Sequence, residues 1–361
     1  AMVIPTAKLK PVNPVVALVG TAVTFQPEFD GTPPAAVTTG SLQFQLGKDS
    51  PTGISIDPQT GILLWAVPRD QSPQRYAIPI EYVFKHNDLP DLEKQLQRAT
   101  ALVEKQGTGG ILVITEGVFG MAGDQGKLKE IAALKDTYSF RLLVDDAHGF
   151  GTLGKTGAGA GEEQGCQDKI DLYFSTFAKS MASIGAFIAG DRQIIDYIRY
   201  NIRSQIFAKS LPMPLVVGNL KRLELLRNHP ELKEKLWSNA LKLQKGLKER
   251  GFDIGNTDSV VTPVYMKGGV EEATAMVMDL RENYSIFASI VVYPVIPKGH
   301  IIYRLIPSAI HTDEDIETTL KAFEATKKKL DAGEYKVESI PDMAEVSGKR
   351  FDYMRDRPKN K

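Results

Sequence analysis

Lys179 lies in the run FSTFAKSMASIG, among small and apolar residues and just past the strand-like segment LYFST (172–176). A lysine at the carboxyl end of a strand in an open α/β sheet faces the crevice where such sheets bind ligands, and desolvation there makes its amine reactive. Asp145 and His148 sit in VDDAHGFG, at the end of the strand-like segment FRLLV (140–144). One sheet edge thus receives a carboxylate, an imidazole and an amine. Pyridoxal phosphate requires that set: a lysine for covalent attachment, a carboxylate to pair with the pyridinium nitrogen and keep the ring an electron sink, and a donor for the phenolate oxygen. Thr176, with Ser175 and Ser180 nearby, offers hydroxyls to a phosphate, although ordinary loop polarity accounts for them equally.

The elements that must position these residues alternate. ILVIT (111–115), a helix around 127–137, FRLLV, LYFST, AFIAG (186–190) and a helix from 193 to about 206 follow in turn. Strands alternating with helices at this spacing predict a parallel sheet with helices on its faces. Residues 211–250 read as long amphipathic helix with a break at Asn228-His229-Pro230. TPVYM, a helix over 271–283, IFASIVVYPVI, HIIYRLIP and a helix over 313–330 read as a smaller α+β domain, whose last helix carries an approximate capping box between Thr312 and Asp315. Residues 336–361 are polar and read as a loosely attached tail.

Gly149-Phe150-Gly151-Thr152-Leu153-Gly154 is a literal G-x-G-x-x-G directly after a strand. The next residues, KTGAGAG, open no helix, so there is no helix N-terminus to hold a pyrophosphate, and the segment reads as a glycine-rich loop rather than a dinucleotide site.

Five blocks carry a resemblance: FKHNDLPDLEKQL, ITEGVFGMAGD, LLVDDAHGFGTLGKTGAG, STFAKSMASIGAFIAG and YRLIPSAIHT. In this order, residues 83–330 resemble the α-oxoamine synthases, fold-type I pyridoxal phosphate enzymes that join an amino acid to an acyl-CoA with loss of carbon dioxide. Serine palmitoyltransferase, 8-amino-7-oxononanoate synthase and 2-amino-3-ketobutyrate CoA ligase are among them. The resemblance implies that Lys179 carries the cofactor, Asp145 pairs with the pyridinium, His148 with the phenolate oxygen, and Thr176 with the phosphate. Arg304 matches the arginine that grips the substrate carboxylate, a task suited to its planar fork; the other reading is a snorkelling edge-strand arginine. His311, in the same block, is explained as well by packing at a helix entry and stays outside the site. Where Gly120 stands, the family often has serine, and the lost hydroxyl removes a polar contact near the cofactor.

The family carries more than a hundred residues ahead of the KHND block, including a ring-stacking histidine, and this chain has no histidine between Ala1 and Val83. Residues 1–80 instead hold short β-rich runs separated by proline and glycine. PTGISIDPQTGILLW (51–65), with a proline-initiated turn and Trp65 as a candidate core residue, resembles the Ig-like, cadherin-like repeats of bacterial surface proteins over about residues 12–82. The expected organisation is a small all-β Ig-like sandwich over 1–82, an incomplete PLP-binding α/β large domain over 83–210, a long helix and α+β small domain over 211–335, and a tail.

The chain has 361 residues, with 44 Lys+Arg against 44 Asp+Glu, enough for two or three domains and with no charge bias toward nucleic acid. A single cysteine, Cys166, excludes an intramolecular disulfide and a Cys-based zinc cage; no metal is expected. No segment has the features of a signal peptide or the roughly 18 apolar residues of a membrane span, so a cytoplasmic protein is expected. The functional expectation is an acyltransferase that condenses serine, or second glycine, with an acyl-CoA as a homodimer. The rival is a catalytically impaired fusion serving as a binding or spacer protein through its Ig-like module.

Overall fold

The computed structural model describes residues 82–336, apart from 108, 209, 294 and 297–299, together with five short strands ahead of them. Those strands are β1 (Lys8–Leu9), β2 (Ala22–Phe25), β3 (Phe29–Asp30), β4 (Ile54–Ile56) and β5 (Leu63–Ala66). β2, β5 and β4 pair antiparallel in that order, with Trp65 in register with Val23 and with Ile54. The Ig-like sandwich as a whole and the tail beyond 336 lie outside the described residues.

Two compact units divide the chain. The first comprises Ala1–Val113 and Glu130–Arg141. Its helix α1 (Leu89–Gln106) starts where the Asp88 side chain accepts the Asp91 N–H at 3.0 Å, has Pro90 in its first turn, and stops at Gly107 with φ +62°. Leu92 and Leu96 are its buried face.

The second unit comprises Ile114–Lys129 and Leu142–Lys361. A four-stranded sheet runs in the order β6 (Leu112–Glu116), β7 (Arg141–Asp145), β8 (Leu172–Thr176), β9 (Ala186–Gly190). β7 and β8 are parallel, but β8 and β9 are antiparallel, which corrects the all-parallel expectation. The cause is the length of the connection: only residues 177–185 join β8 to β9, and a parallel return takes a crossover of about a dozen residues or more. On edge strand β6 Ile114 is 59% exposed.

Short helices α2 (Leu128–Ala133) and α3 (Ala160–Glu163) flank β7 in sequence. The helix expected over 193–206 is two, α4 (Arg192–Asn201) and α5 (Arg203–Ala208), parted at Ile202. The expected long helix breaks as predicted, into α6 (Met213–Asn228) and α7 (Pro230–Glu249), because Pro230 has no N–H to continue the first helix and a preset φ to begin the second. No helix among the described residues is long and apolar enough to cross a membrane.

The rest is an antiparallel sheet, β10 (Thr262–Met266), β12 (Ile301–Leu305), β11 (Ser289–Val291) in that order, packed with α7, α8 (Val270–Tyr284) and α9 (Asp313–Asp331). Tyr303 and Phe323, both fully buried, meet edge to face at 6.0 Å and 89°, and the Tyr303 hydroxyl donates to the Ala273 carbonyl at 2.7 Å. The capping box is present in both directions: Asp315 N–H donates to Thr312 Oγ1, and Thr312 N–H to Asp315 Oδ2. This small sheet is what carries Arg304.

Candidate active site

Asp145 is the last residue of β7 and pairs in register with Phe174 on the parallel β8, so the carboxyl ends of both strands open on one edge. Its Oδ1 accepts the Ala147 N–H at 3.0 Å, a local turn that swings the chain away from the strand and brings His148 after it. Thr176 ends β8, and its Oγ1 accepts the Ala178 N–H at 3.2 Å. Lys179 follows, exposed, in a tight turn closed by Ala182 N–H on its carbonyl. Ala182 sits there at φ +43°, a left-handed conformation unusual for alanine, in the turn that carries the lysine.

The half-buried His148 imidazole is held neutral. Burial is the main cause, and the positive charges of Lys179 and Arg304 add to it; its pKa is pushed down to about 4. Two of the groups singled out in the sequence thus act on a third.

Arg304 lies on β12, the central strand of its sheet, and is half-buried, which rules against the edge-strand snorkel. Its Nη1 donates to the Gly120 carbonyl at 3.3 Å and lies 3.8 Å from Met121 Sδ, while its Nε is buried without a partner. A guanidinium has five N–H donors, so most of this fork is unspent. A carboxylate is the acceptor that satisfies it.

Gly120 also leaves room for the His148 ring. A Cβ built there would stand 2.3 Å from His148 Nε2 and 2.6 Å from its Cδ2. The position is set by clearance for the imidazole, and a serine would displace that ring. The Gly120 N–H donates to Glu116 Oε2 at 3.2 Å, so the glycine is anchored at both its amide and its carbonyl.

His311 does what its helix-entry reading implies: its Nδ1 accepts the Ser308 N–H at 3.2 Å, and its carbonyl accepts from Asn239 Nδ2 at 2.8 Å. A cavity of about 390 Å³ lined by Lys155, Thr156, Leu226, Arg227, Pro230 and Lys233 includes none of these site residues. Sequence reasoning missed Glu116, Tyr173 and above all Asp146, a fully buried carboxylate beside Asp145. The doubled acid in VDDAHG was its only outward sign.

A family model described as aminotransferase class I and II matches residues 75–323. The cysteate-C-fatty acyltransferase of Capnocytophaga ochracea is 64% identical over 255 residues, covering 71% of this chain and 60% of that protein. The serine palmitoyltransferase of Sphingobacterium spiritivorum is 37% identical over 244 residues, covering 66% and 59%. The solved serine palmitoyltransferase of Sphingomonas wittichii superposes with a TM-score of 0.63 at 30% identity, over 68% of this chain and 60% of that one. Similar solved serine palmitoyltransferases contain pyridoxal phosphate. The chain spans about 60% of the length of the relatives it matches. Since the family model matches well over half of its residues, the chain belongs to the aminotransferase class I and II family.

Proposed function

We propose that the chain works as a pyridoxal phosphate-dependent C-acyltransferase, condensing an amino acid with a fatty acyl thioester. The observation that carries this reading is that Lys179 and Arg304 both act on His148: an exposed amine and a guanidinium with unspent donors, near enough to an imidazole to help keep it neutral. This donor set fits an anionic aromatic cofactor together with a substrate carboxylate.

Lys179, Asp145, His148 and Thr176 would hold pyridoxal phosphate, which supplies an electron sink for charge developing at the amino acid's α-carbon. Arg304 binds the α-carboxylate and fixes the amino acid's orientation. An imidazole with a pKa near 4 is a poor proton acceptor, so His148 acts as a neutral N–H donor. Lys179, an exposed amine at the same strand ends, is the better carrier of the α-proton. In the net reaction a bond forms between the α-carbon and the acyl carbonyl carbon. The thioester C–S bond and the bond to the carboxylate break, giving an aminoketone, carbon dioxide and a thiol, and a proton returns to the α-carbon.

Cysteate becomes the first choice of amino acid and serine the second, because the cysteate relative is 64% identical and the serine relative 37%. A sulfonate also brings a second anion to a crevice that holds two cations. The homodimer remains part of this reading, supported by large apolar side chains exposed on α4 to α6, among them Tyr200, Phe207 and Val217.

The test is incubation with pyridoxal phosphate and palmitoyl-CoA in the presence of cysteate, serine or glycine separately, followed by mass spectrometry of the organic phase. The expected product is the aminoketone from cysteate, with less from serine. A chain that binds the cofactor and yields no product with any of them would favour the binding or spacer reading. Arg304→Lys should keep cofactor loading and lose amino-acid affinity by roughly tenfold or more, since the fork's charge-assisted hydrogen bonds are worth about 1.5–3 kcal/mol. Titration of each ligand by visible absorbance separates the two; equal loss of both would make Arg304 structural.

A further inference from the structure

Asp146 is fully buried, yet its carboxylate meets no cation among the described residues. Its Oδ2 accepts the Ala160 N–H at 2.8 Å and the Tyr173 hydroxyl at 2.8 Å, while its Oδ1 is buried without a partner. Three glycines close on this carboxylate. A Cβ at Gly117 or Gly149 would stand 2.0 or 2.1 Å from Oδ1, and one at Gly159 would stand 1.9 Å from Oδ2. At those distances only a glycine fits, and the Gly149 backbone N–H also favours the ionised carboxylate.

The backbone of Asp146 is pinned as firmly. Its N–H donates to the Phe174 carbonyl at 2.8 Å, and its own carbonyl accepts from Phe150 N–H at 2.9 Å and Ser175 Oγ at 3.2 Å. Gly159 N–H on the Leu153 carbonyl and Gly151 N–H on the Gly157 carbonyl fold the glycine segment back on itself.

We infer that the glycine-rich segment 149–159 is built around the side chain of Asp146, and that Asp146 is the positioning residue that sets its neighbours Asp145 and His148 in the site. This rests on the functional reading above for what the two neighbours do. The motif that looks like a phosphate loop thus wraps an anion belonging to its own chain. The amide of an asparagine would keep the two acceptor bonds but lose the charge that the Gly149 N–H favours and place an NH2 among closely packed glycine backbone, so the bare carboxylate is the group that fits.

A double-mutant cycle on the full chain tests this. Gly149 has no left-handed φ, and the atoms nearest its built Cβ all belong to Asp146, so Gly149→Ala is obstructed by that side chain alone. Gly110→Ala, where a Cβ meets nothing within 4 Å, is the control. The readouts are the pH midpoint of the His148 imidazole resonance, assigned by its loss in His148→Gln, and pyridoxal phosphate affinity by absorbance.

Gly149→Ala and Asp146→Ala should each move the His148 midpoint up from its depressed value toward 6.5 and weaken cofactor binding on the order of tenfold, with Asp146→Asn between them and wild type. Added to Asp146→Ala, Gly149→Ala should have little further effect. The proposal is overturned if Asp146→Ala lowers only the melting temperature and leaves midpoint and affinity in place, or if the two substitutions add independently. The imidazole midpoint reads out without any cofactor, so a chain that fails to bind pyridoxal phosphate defeats the functional reading and still tests this one. Should Gly149→Ala fail to fold, the Asp146→Ala and Asp146→Asn midpoints decide.

Discussion

Lys179→Ala is expected to abolish the borohydride-stable bond between the chain and added pyridoxal phosphate, the largest single effect any substitution here should produce. Covalent attachment needs an amine at the crevice, and without it the step has no substitute, whereas losing a hydrogen bond to the cofactor costs about 1.5–3 kcal/mol and leaves weakened binding. Lys233 is no stand-in: its Nζ is held by the Gly154 and Lys155 carbonyls. Reduction followed by peptide mass mapping should place the label on the peptide bearing Lys179 in the wild type and on none in the variant. Asp145→Asn should lower labelling without removing it. A label that persists in Lys179→Ala, or that sits on another lysine in the wild type, would overturn the assignment.

The residues of this site were legible because each is set by local sequence. Strands LYFST and FRLLV end where their hydrophobic runs end, so Thr176, Lys179 and Asp145 fall at one sheet edge by counting alone. Pro230 and the Thr312–Asp315 pair are likewise local signals, and both produced the expected boundaries. The direction of β9 does not follow from alternation of strands and helices, because it is set by the 177–185 connection, too short for a crossover. The clearance that Gly120 gives the His148 ring, 28 positions away in the chain, is encoded in no local pattern. Asp146 was hidden for the same reason. Its partners, Tyr173, Ala160, Gly117 and Gly159, come from separate segments and meet only in the fold.

Asp146 and His148 should also give crossed pH dependences of stability. Burial raises the Asp146 carboxyl from 3.8 to about 6, so between those values the folded chain keeps a proton that the unfolded chain releases, and stability falls as pH rises. His148 is the reverse. Its pKa drops from 6.5 to about 4 on folding, so the unfolded chain takes a proton the folded chain refuses, and stability rises with pH across that window. At about 1.4 kcal/mol per unit the Asp146 arm is worth about 3 kcal/mol, and the His148 arm about 2 kcal/mol once solvent screening of this less buried group is allowed for. The arms oppose one another between about pH 4 and pH 6, so their contributions to the wild-type slope partly cancel there, the Asp146 arm being the steeper. Removing either group should expose the other. Relative to wild type, His148→Gln should lose stability as pH rises through that range, and Asp146→Asn should gain it, on top of a fixed cost for its unsatisfied amide. Urea midpoints of the three proteins across the window measure this directly: groups other than these two are common to all of them, and the upward move of the His148 midpoint expected in Asp146→Asn subtracts from that variant's gain without reversing it. Parallel profiles would show that neither group changes its proton affinity on folding; slopes of the same sign in both variants would show that one of the two environments is misassigned.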